Sequence, residues 1–386
     1  GISVTNAGHG NEAVVEAAKD QLDEFVHGCS YVHPNEPVAD LAERLAEVTP
    51  GDLQKTFFCN SGTEAVEGAI KLARKHTGNT EVVALEMGFH GRTLGSLALT
   101  GNKAYKDGMA PTINDVSHFA APYGYRCPRC DGDECGADCA NDLEHVIGSH
   151  TADDLAAVVV EPVMGEGGIV VPSDAWLQRV KDIAHDHGAL FVVDEVQTGY
   201  GRTGRFWASD HFGVTPDVLT QAKGIANGLP LGAFTASADV ADSFESGDHL
   251  STFGGNPVTC AAALANVDEL QDGIVENAAE QGAWLGDRLA ELEEEYDVVG
   301  DTRGLGLMYG VELVDPDEDG PMGVAAAPDS DLAKHVSQRL RDAGVVIGVG
   351  GFYKNVLRFQ PPLTISREQL ERAVDELAAA IDAETN

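Results

Sequence analysis

The stretch Phe191-Val-Val-Asp-Glu-Val-Gln-Thr-Gly-Tyr-Gly-Arg-Thr-Gly204 indicates the fold most strongly. Its short apolar run ends on two carboxylates, Asp194 and Glu195, and continues into a glycine-rich turn. The run predicts a buried strand, and successive side chains of a strand point to opposite faces. One carboxylate can therefore face a ligand while the other faces the protein interior. An ion pair at a strand end is the alternative interpretation.

A second stretch, Thr220-Gln-Ala-Lys-Gly-Ile-Ala-Asn-Gly-Leu-Pro-Leu-Gly-Ala233, places a single lysine, Lys223, after another apolar run. Glycines follow at positions 224, 228 and 232, so the backbone can come close to a bound group. Amine chemistry needs a partly unprotonated lysine, and desolvation lowers the pKa of a lysine in that direction. The alternative is a lysine that extends into solvent.

Outward from these two stretches, short apolar runs alternate with helical patterns. The runs predict buried parallel strands at residues 82–85, 155–161, 189–196, 218–221 and 232–237. The helical patterns cover residues 63–76, 175–187 and 257–270. This alternation is typical of an α/β domain, whose ligand sites lie at the carboxyl ends of its strands.

The pattern changes after residue 270. An acidic helix through Tyr296 comes first, then strands at residues 308–313, 345–349 and 356–359, and a closing helix from Ser366. Residues 315–329, rich in Pro, Asp and Gly, predict a surface loop. Because 386 residues exceed the roughly 250–300 at which one core stops growing, we expect two domains. The predicted limits are an N-terminal segment 1–45 that packs with the small domain, a large domain 46–270, and a small C-terminal α+β domain 271–386.

The charge balance is strongly acidic: 63 Asp and Glu against 25 Lys and Arg give a formal net charge of −38. Nucleic acid and anionic membranes would be repelled, and no apolar run approaches the ~20 residues that span a bilayer. We therefore expect a soluble protein without nucleic-acid or membrane partners. The acids are spread along the chain, which favours a halophilic cytoplasm where salt screens their repulsion. No secretory signal pattern opens the sequence, so a cytoplasmic location is expected.

Asp194 and Lys223, which lie 29 residues apart after successive predicted strands, resemble the pyridinium-binding Asp and Schiff-base Lys of class III aminotransferases. That family includes 4-aminobutyrate, ornithine and acetylornithine aminotransferases, and the similarity extends across essentially the whole chain. The resemblance implies pyridoxal 5'-phosphate (PLP) as cofactor, with Asp194 and Lys223 as catalytic residues. It also implies the α/β fold of type I PLP-dependent transferases, in which a large domain with a mostly parallel seven-stranded sheet joins a smaller C-terminal α+β domain.

Further cofactor positions follow from the resemblance. Asn60-Ser-Gly-Thr-Glu-Ala-Val-Glu67 is similar to the family's phosphate cup, in which Ser61, Gly62 and Thr63 offer donors at a helix N-terminus. An ordinary capping box is the alternative, and both interpretations can hold together. Gly88-Phe-His-Gly-Arg-Thr93 resembles the segment that contacts the cofactor ring, here through Phe89 and His90.

Three more positions match the family's cofactor site. Val196 corresponds to the residue on the ring face opposite the aromatic side chain, and Gln197 to the residue that hydrogen-bonds the cofactor's 3-oxygen. Ser251-Thr-Phe-Gly-Gly-Asn-Pro257 matches the loop whose threonine, here Thr252, reaches the phosphate in the neighbouring subunit. The resemblance therefore implies a homodimer with active sites at the subunit interface, or a tetramer built from such dimers.

Charged residues are expected to recognise the substrate. Arg358 resembles the arginine that binds the α-carboxylate, a bidentate role for which lysine is a poor substitute. Glu166 matches the glutamate that pairs with this arginine when the bound substrate lacks an α-carboxylate, and Glu161 opens the same motif. Arg92 matches the arginine that takes the distal carboxylate of 4-aminobutyrate. Surface salt bridges are the alternative for these charges.

The implied activity is that of an aminotransferase of amino-acid metabolism, EC 2.6.1 type. The predicted donor is an ω-amino acid such as 4-aminobutyrate or ornithine, and the acceptor is a 2-oxo acid such as 2-oxoglutarate or pyruvate. An alanine-glyoxylate-type aminotransferase is an alternative, as is a PLP-dependent racemase or aminomutase on the same fold. A requirement for an acceptor separates these cases, because a racemase or mutase needs none.

Four of the seven cysteines cluster as Cys127-Pro-Arg-Cys130, Cys135 and Cys139. Gaps of two, four and three residues suit a structural zinc site or two disulfides. Reduced thiols without a ligand are the third interpretation. No catalytic metal is expected, since transamination needs none.

Overall fold

Two β-sheets organise the chain in the computed structural model, which describes residues 2–113, 115–130 and 135–385. The strands are β1 (Leu53–Cys59), β2 (Glu81–Leu85), β3 (Val116–Phe119), β4 (Leu155–Val160), β5 (Leu190–Asp194), β6 (Val218–Gln221), β7 (Gly232–Ser237), β8 (Val299–Leu305), β9 (Met308–Asp319), β10 (Ala326–Pro328), β11 (Gly348–Gly350) and β12 (Val356–Phe359). The α-helices are α1 (Glu12–Glu24), α2 (Glu36–Val48), α3 (Gly62–Thr77), α4 (Leu94–Leu99), α5 (Ala137–Ala140), α6 (Asp142–His150), α7 (Asp174–Asp186), α8 (Ala238–Ala241), α9 (Pro257–Glu269), α10 (Val275–Glu295), α11 (Ser330–Asp342) and α12 (Arg367–Thr385). None of the helices in these residues has the length and apolar character needed to cross a membrane.

The larger sheet has seven strands in the order β1-β7-β6-β5-β4-β2-β3. Strands β3, β2, β4, β5 and β6 run parallel, whereas β7 is antiparallel to both of its neighbours. The prediction of a mostly parallel sheet is confirmed, but the prediction that residues 232–237 form a parallel strand is wrong. The connection from β6 to β7 covers only residues 222–231 and holds no crossover α-helix, so the chain returns antiparallel.

Both faces of this sheet are covered. In β4, Val158 and Val160 join an apolar cluster that includes Trp176 of α7, whereas Ala157 and Val159 join a second cluster with residues of α3. Every side chain of β4 and β5 is buried as a result. This double burial explains why these strands are continuous apolar runs in the sequence.

The second sheet is antiparallel and is formed by the C-terminal part of the chain. Its longest strand, β9, pairs with β8, β10 and β12, and β11 lies beside β12. The prediction of a loop at residues 315–329 is wrong, because β9 continues to Asp319 and β10 pairs back onto it. An exposed edge hairpin and a loop share the same polar composition, so composition did not separate them. The domain limits at 45/46 and 270/271 stay predictions.

One fully buried arginine joins distant segments of the fold. Arg202 donates hydrogen bonds to the carbonyl oxygens of Leu307 at 3.0 Å and Pro361 at 2.5 Å, and to Oδ1 of Asn6 at 2.9 Å. Burial lowers its pKa to about 9. Because its partners are neutral, Arg202 connects the N-terminal segment, the larger sheet and the C-terminal part without an ion pair among the described residues.

Candidate active site

Three ionisable side chains follow neighbouring strands of the larger sheet. Glu161 comes directly after β4, Asp194 is the last residue of β5, and Lys223 lies two residues after β6. These strands are adjacent and parallel, so their carboxyl ends meet at one edge of the sheet. The topology therefore brings together residues that are far apart in the sequence.

A cavity of about 370 Å³ opens at this edge, within the size range of small-molecule sites. Eleven predicted site residues line it: Ser61, Gly62, Thr63, Phe89, His90, Arg92, Glu161, Asp194, Val196, Gln197 and Lys223. Glu166 and Arg358 lie beside this set, near enough to Lys223 for their charges to shift its pKa. Thr252 is exposed and is not part of the cavity wall in the single chain.

Asp194 is held from two sides. Its Oδ2 lies 2.7 Å from Nδ1 of His90, and its Oδ1 accepts a 3.0 Å hydrogen bond from the backbone N–H of Val196. Burial lowers the pKa of His90, but the Asp194 carboxylate outweighs this effect and the pKa lies above its ordinary value. Glu195 is buried on the other side, where it accepts a 2.8 Å hydrogen bond from the backbone N–H of Ser209. Asp194 thus faces the cavity and Glu195 faces the protein interior, as the alternation of side chains along a strand predicts.

Lys223 begins a 3-10 helix (Lys223–Ala226) in a left-handed backbone conformation, with φ of 45°. For a residue other than glycine this conformation costs on the order of 1–3 kcal/mol and is concentrated at functional turns. Burial lowers the pKa of Lys223, although Asp194, Glu161 and Glu166 raise it in part. A lysine with a lowered pKa can act as a nucleophile and as a proton carrier.

The N-terminus of α3 forms another wall of the cavity. Ser61 caps this helix, and its Oγ accepts a 3.3 Å hydrogen bond from the backbone N–H of Glu64. A Cβ atom at Gly62 would lie 2.9 Å from Val196, and one at Gly232 would lie 2.4 Å from the carbonyl oxygen of Ser61. These close approaches require glycine. The remaining N–H groups at the helix start are suited to an anion such as a phosphate.

Gln197 and Phe89 have defined neighbours. Oε1 of Gln197 accepts a 2.8 Å hydrogen bond from Nε2 of Gln360. A Cβ atom at Gly165 would lie 2.1 Å from Oε1 of Gln197, so glycine leaves room for the Gln197 amide in its present position. The ring of Phe89 meets the ring of Tyr105 edge-on at a centroid distance of 5.4 Å.

Arg358 on β12 forms an ion pair with Glu166, with 2.8 Å between Nη1 and Oε1. Burial raises the pKa of Glu166, but the positive charge of Arg358 outweighs it and the pKa lies below its ordinary value. Nε of Arg358 is buried and has no hydrogen-bond partner within the described ranges. Gly350 of β11 packs against the guanidinium, since a Cβ atom there would lie 2.5 Å from Nε.

Glu161 has structural partners on both carboxylate oxygens. They accept 2.9 Å hydrogen bonds from the backbone N–H groups of Phe89 and Gly165, and burial raises the pKa of Glu161 to about 7. The side chain therefore ties two loops of the cavity together. Arg92, by contrast, is exposed, and its guanidinium lies 4.3 Å from the ring centroid of Tyr105.

The cavity also uses residues that no sequence pattern marks. Its apolar wall includes Val4, Leu229 and Leu231. Nζ of Lys354 lies 5.4 Å from the ring centroid of Tyr105, and its charge contributes to the lowered pKa of Glu166. Lys354 and Tyr105 lie outside the described cavity wall. Neither has a sequence signal, because their contacts form only in the folded chain.

The arrangement fits one kind of cofactor. It combines a lysine of lowered pKa, a carboxylate–histidine pair and an anion-binding helix start around one cavity. Nε2 of His90 is buried without a partner among the residues described, and glycines keep the walls clear of side chains. A molecule with an electrophilic carbon for the lysine and a phosphate for the helix start suits this set. Fold and site thus define an enzyme of amine chemistry with a phosphate-bearing carbonyl cofactor.

Comparison with known proteins identifies the family. The model of the class III aminotransferases matches residues 1–381. The acetylornithine aminotransferase of Methanopyrus kandleri is 43% identical over 99% of this chain and 88% of its own length. The 4-aminobutyrate aminotransferase of Mycobacterium leprae is 39% identical over 98% of this chain and 84% of its own length. The chain belongs to the class III aminotransferases.

A solved structure extends the likeness to three dimensions. An amine transaminase from an uncultivated Pseudomonas species, in its PLP-bound form, superposes with a TM-score of 0.89 at 32% identity, over 99% of this chain and 89% of that one. The protein is therefore a PLP-dependent transaminase of fold type I, as the sequence predicts.

Proposed function

We propose that the cavity holds PLP through the residues that line it. Ser61, Gly62 and Thr63 would bind the phosphate, which is supported by their position at the start of α3. Phe89 and Val196 would contact the two faces of the ring. These assignments rest on the family resemblance and on the shared cavity.

We further propose how the polar groups act on the bound cofactor. When bound, PLP supplies an electron-poor ring that stabilises negative charge on the substrate carbon. Asp194 would hold a proton on the pyridine nitrogen, with His90 orienting the carboxylate and Gln197 bonding the 3-oxygen. Lys223 would attach the cofactor covalently and then, once free, move the proton at the substrate carbon. Its lowered pKa supports this role.

The proposed reaction transfers the amino group of an ω-amino acid, such as 4-aminobutyrate or ornithine, to a 2-oxo acid, such as 2-oxoglutarate or pyruvate. The observation that carries this proposal is the 2.8 Å ion pair of Arg358 with Glu166. When a 2-oxo acid binds, its carboxylate would replace Glu166 on Arg358. When an ω-amino donor binds, the pair would stay closed and Arg92 would meet the distal carboxylate. Glu161 would position the loops around them.

A panel of amino donors tests the proposal. The donors are 4-aminobutyrate, ornithine, alanine and β-alanine, each assayed with 2-oxoglutarate, pyruvate and glyoxylate. We expect the ω-amino donors to react fastest. Alanine with glyoxylate as the fastest pair, or conversion without an acceptor, would contradict the proposal in favour of an alanine-glyoxylate-type enzyme or a racemase.

Two variants sharpen this test. Arg358→Lys loses the bidentate contact, so we expect KM for the 2-oxo acid to rise by about 10- to 100-fold, the cost of roughly 1.4–2.7 kcal/mol of binding. Half-reaction kinetics with an ω-amino donor should change much less. Arg92→Gln should show the reverse pattern, with KM raised for 4-aminobutyrate. Equal effects of each variant on both half-reactions would speak against separate carboxylate sites.

We also propose that the protein acts as a homodimer in a high-salt cytoplasm. The exposed Thr252 would complete the phosphate site of the partner subunit. Exposed apolar side chains near it support an interface: Val26 and Phe253 are 51% and 64% exposed, and Phe253 packs on His27 at a ring distance of 5.3 Å. The formal charge of −38 supports the high-salt setting.

A further inference from the structure

The four clustered cysteines form a compact group outside the cavity. Cys127, Cys130, Cys135 and Cys139 lie between β3 and α6, and their sulfur atoms are all within 4.8 Å of one another. The Sγ atoms of Cys127 and Cys139 are 4.0 Å apart, and those of Cys130 and Cys135 are 3.6 Å apart. Such mutual proximity of four thiols is what a single metal ion with four sulfur ligands requires.

The spacing of the sulfurs separates the possible kinds of site. A tetrahedron around one zinc ion with Zn–S bonds of about 2.3 Å has edges of about 3.8 Å, close to both measured separations. A disulfide would need sulfurs about 2.05 Å apart. In a two-iron cluster each pair of cysteines binds a different iron, so sulfurs of different pairs would lie farther apart than these four do.

The surroundings favour a closed structural site. Cys127 and Cys135 are buried in the apolar cluster that includes Tyr123 and Trp176. Ser173, the N-cap of α7, donates a 2.8 Å hydrogen bond to the carbonyl oxygen of Cys135. An all-sulfur ligand set suits a soft ion such as Zn²⁺ and is unsuited to Mg²⁺ or Ca²⁺.

The segment next to the cluster is tied to the active-site region. Arg126, directly before Cys127, forms a buried 2.6 Å ion pair with Glu312 on β9. Glu312 also pairs with Arg303 at 2.7 Å, and Nη2 of Arg303 donates a 2.7 Å hydrogen bond to the carbonyl oxygen of Gly168. Gly168 lies two residues after Glu166. A rigid cysteine cluster would therefore fix one end of a chain of contacts that ends beside the substrate site.

We propose that Cys127, Cys130, Cys135 and Cys139 bind one structural zinc ion per chain, which holds residues 127–130 against residues 135–139 and braces the Arg126–Glu312–Arg303 contacts. The site is separate from the cavity, since none of the four cysteines belongs to the described cavity wall. Zinc takes no part in amino transfer. Its presence and its effect on stability can therefore be measured independently of the substrate proposal.

Metal analysis of the full-length holoenzyme, purified without a histidine tag, tests the proposal. We expect one zinc ion per chain by mass spectrometry of the metals, retained after dialysis against EDTA. The double variant Cys127→Ser/Cys130→Ser should lose the zinc, and the control variant Cys29→Ser, at a half-buried cysteine outside the cluster, should keep it. Zinc loss should lower Tm by roughly 5 °C or more, because a ligand bound only by the folded state stabilises it.

The zinc site can also be tested on the wild-type protein, in case the double cysteine variant does not fold. Titration with a mercurial thiol reagent should release zinc to a chromogenic chelator in step with modification of four thiols. Protein grown with Co²⁺ should show thiolate-to-cobalt charge-transfer bands together with strong tetrahedral d–d bands. Metal-free protein, disulfide-linked cysteine pairs, or iron with inorganic sulfide in place of zinc would each overturn the proposal.

Discussion

At the scale of single residues, buried ionisable groups are the most informative feature. Lys223 and His90 have shifted pKa values because the protein places them in the same desolvated region as the carboxylate of Asp194. The two shifts have opposite directions: burial dominates for the lysine, and the carboxylate dominates for the histidine. The same site thus moves the amine of Lys223 towards its neutral form and the imidazole of His90 towards its charged form.

Lys223→Ala is expected to abolish covalent attachment of PLP and to lower kcat by at least about 10³-fold, since both the nucleophile and the proton carrier are lost. Borohydride reduction followed by peptide mass spectrometry measures the attachment. Lys354→Ala, at a nearby lysine that contacts Tyr105, is the matched control and should keep the adduct. An adduct that persists in Lys223→Ala would refute the assignment.

Glu195 should make stability depend on pH. Burial raises its pKa to about 7 from an ordinary 4.5, so the folded state favours the protonated carboxyl. The resulting stabilisation is fully present below pH 4.5 and is lost as the pH rises through 7, by up to about 3 kcal/mol. Urea unfolding measures the free energy of unfolding at pH 5.5 and at pH 8. We expect this free energy to fall less between the two pH values for Glu195→Gln than for the wild type.

The control for this experiment is Glu276→Gln, at an exposed position of α10. It should leave the pH dependence unchanged. If the free energy of unfolding changed equally with pH for Glu195→Gln and the wild type, Glu195 would be ionised at the same pH in the folded and unfolded states.

At the scale of elements, the sequence predicts best where burial is complete. Strand β4 and the first four residues of β5 are continuous apolar runs because both sheet faces are covered, and the start of α3 is marked by its Ser61 cap. Strand β1 was missed, since Leu53-Gln-Lys-Thr-Phe-Phe-Cys59 mixes exposed polar residues with buried ones at the sheet edge. The direction of β7 depends on the length of its connection, which a local pattern does not contain.

The site follows the same division. Asp194 and Lys223 were singled out because each stands at the end of an apolar run, whereas Arg358 was named only through the family resemblance. The partner of Glu161 at residue 89 was not predictable, since that backbone N–H lies 72 positions away in the sequence and only the folded chain brings it near. Tyr105 was missed for the same reason. Sequence thus identifies groups that carry charge at strand ends, and structure supplies their contacts.

Two helical glycines provide a test of packing between elements. Gly68 of α3 faces β7, and a Cβ atom there would lie 2.2 Å from the ring of Phe234. Gly68→Ala should therefore destabilise the protein by about 1–3 kcal/mol through overpacking. Gly148→Ala in α6 has nothing within 4 Å of its new Cβ atom and should be neutral or stabilising by up to about 1 kcal/mol. Urea unfolding curves give the free energy of unfolding of both variants. Equal changes in this free energy would argue against the close contact between Gly68 and Phe234.

At the scale of the whole molecule, net charge and exposed apolar surface are the two features that set behaviour in solution. The acids outnumber the bases by 63 to 25, so the surface repels itself at low ionic strength. Phe253 directly follows Thr252, which the homodimer proposal places at the interface, and the backbone carbonyl of Val26 accepts a 2.9 Å hydrogen bond from Asn256, four residues after Thr252. The side chains of both Val26 and Phe253 are exposed. We therefore expect both dimer formation and added salt to stabilise the folded state.

Phe253→Asp should weaken the homodimer, because it places a charge in an apolar contact. Analytical ultracentrifugation is expected to show a shift towards monomer, together with weaker PLP retention as Thr252 is withdrawn from the partner. Met322→Asp, at an exposed methionine of the C-terminal part, is the control and should remain dimeric. A wild-type protein that sediments as a monomer would refute the shared site.

Salt should stabilise the protein. Raising KCl from about 0.1 M to 1 M shortens the screening length from about 10 Å to about 3 Å, which weakens repulsion among the surface carboxylates. We expect Tm to rise by roughly 10 °C or more over this range and activity to rise with it. Scanning calorimetry in a KCl series measures the shift. Equal Tm at low and molar salt would argue against adaptation to a saline cell interior.

The apolar wall formed by Leu229 and Leu231 lies on the connection that also carries Lys223, but several residues beyond its strained turn. Val4 contributes to the same wall from the far end of the chain. A biocatalyst designer can therefore vary the width of the cavity at these three positions while the lysine and its carboxylate partner stay in place. We expect variants at this wall to change the range of accepted substrates more than the rate of the chemical step, so it offers a starting point for libraries that vary the width of the cavity.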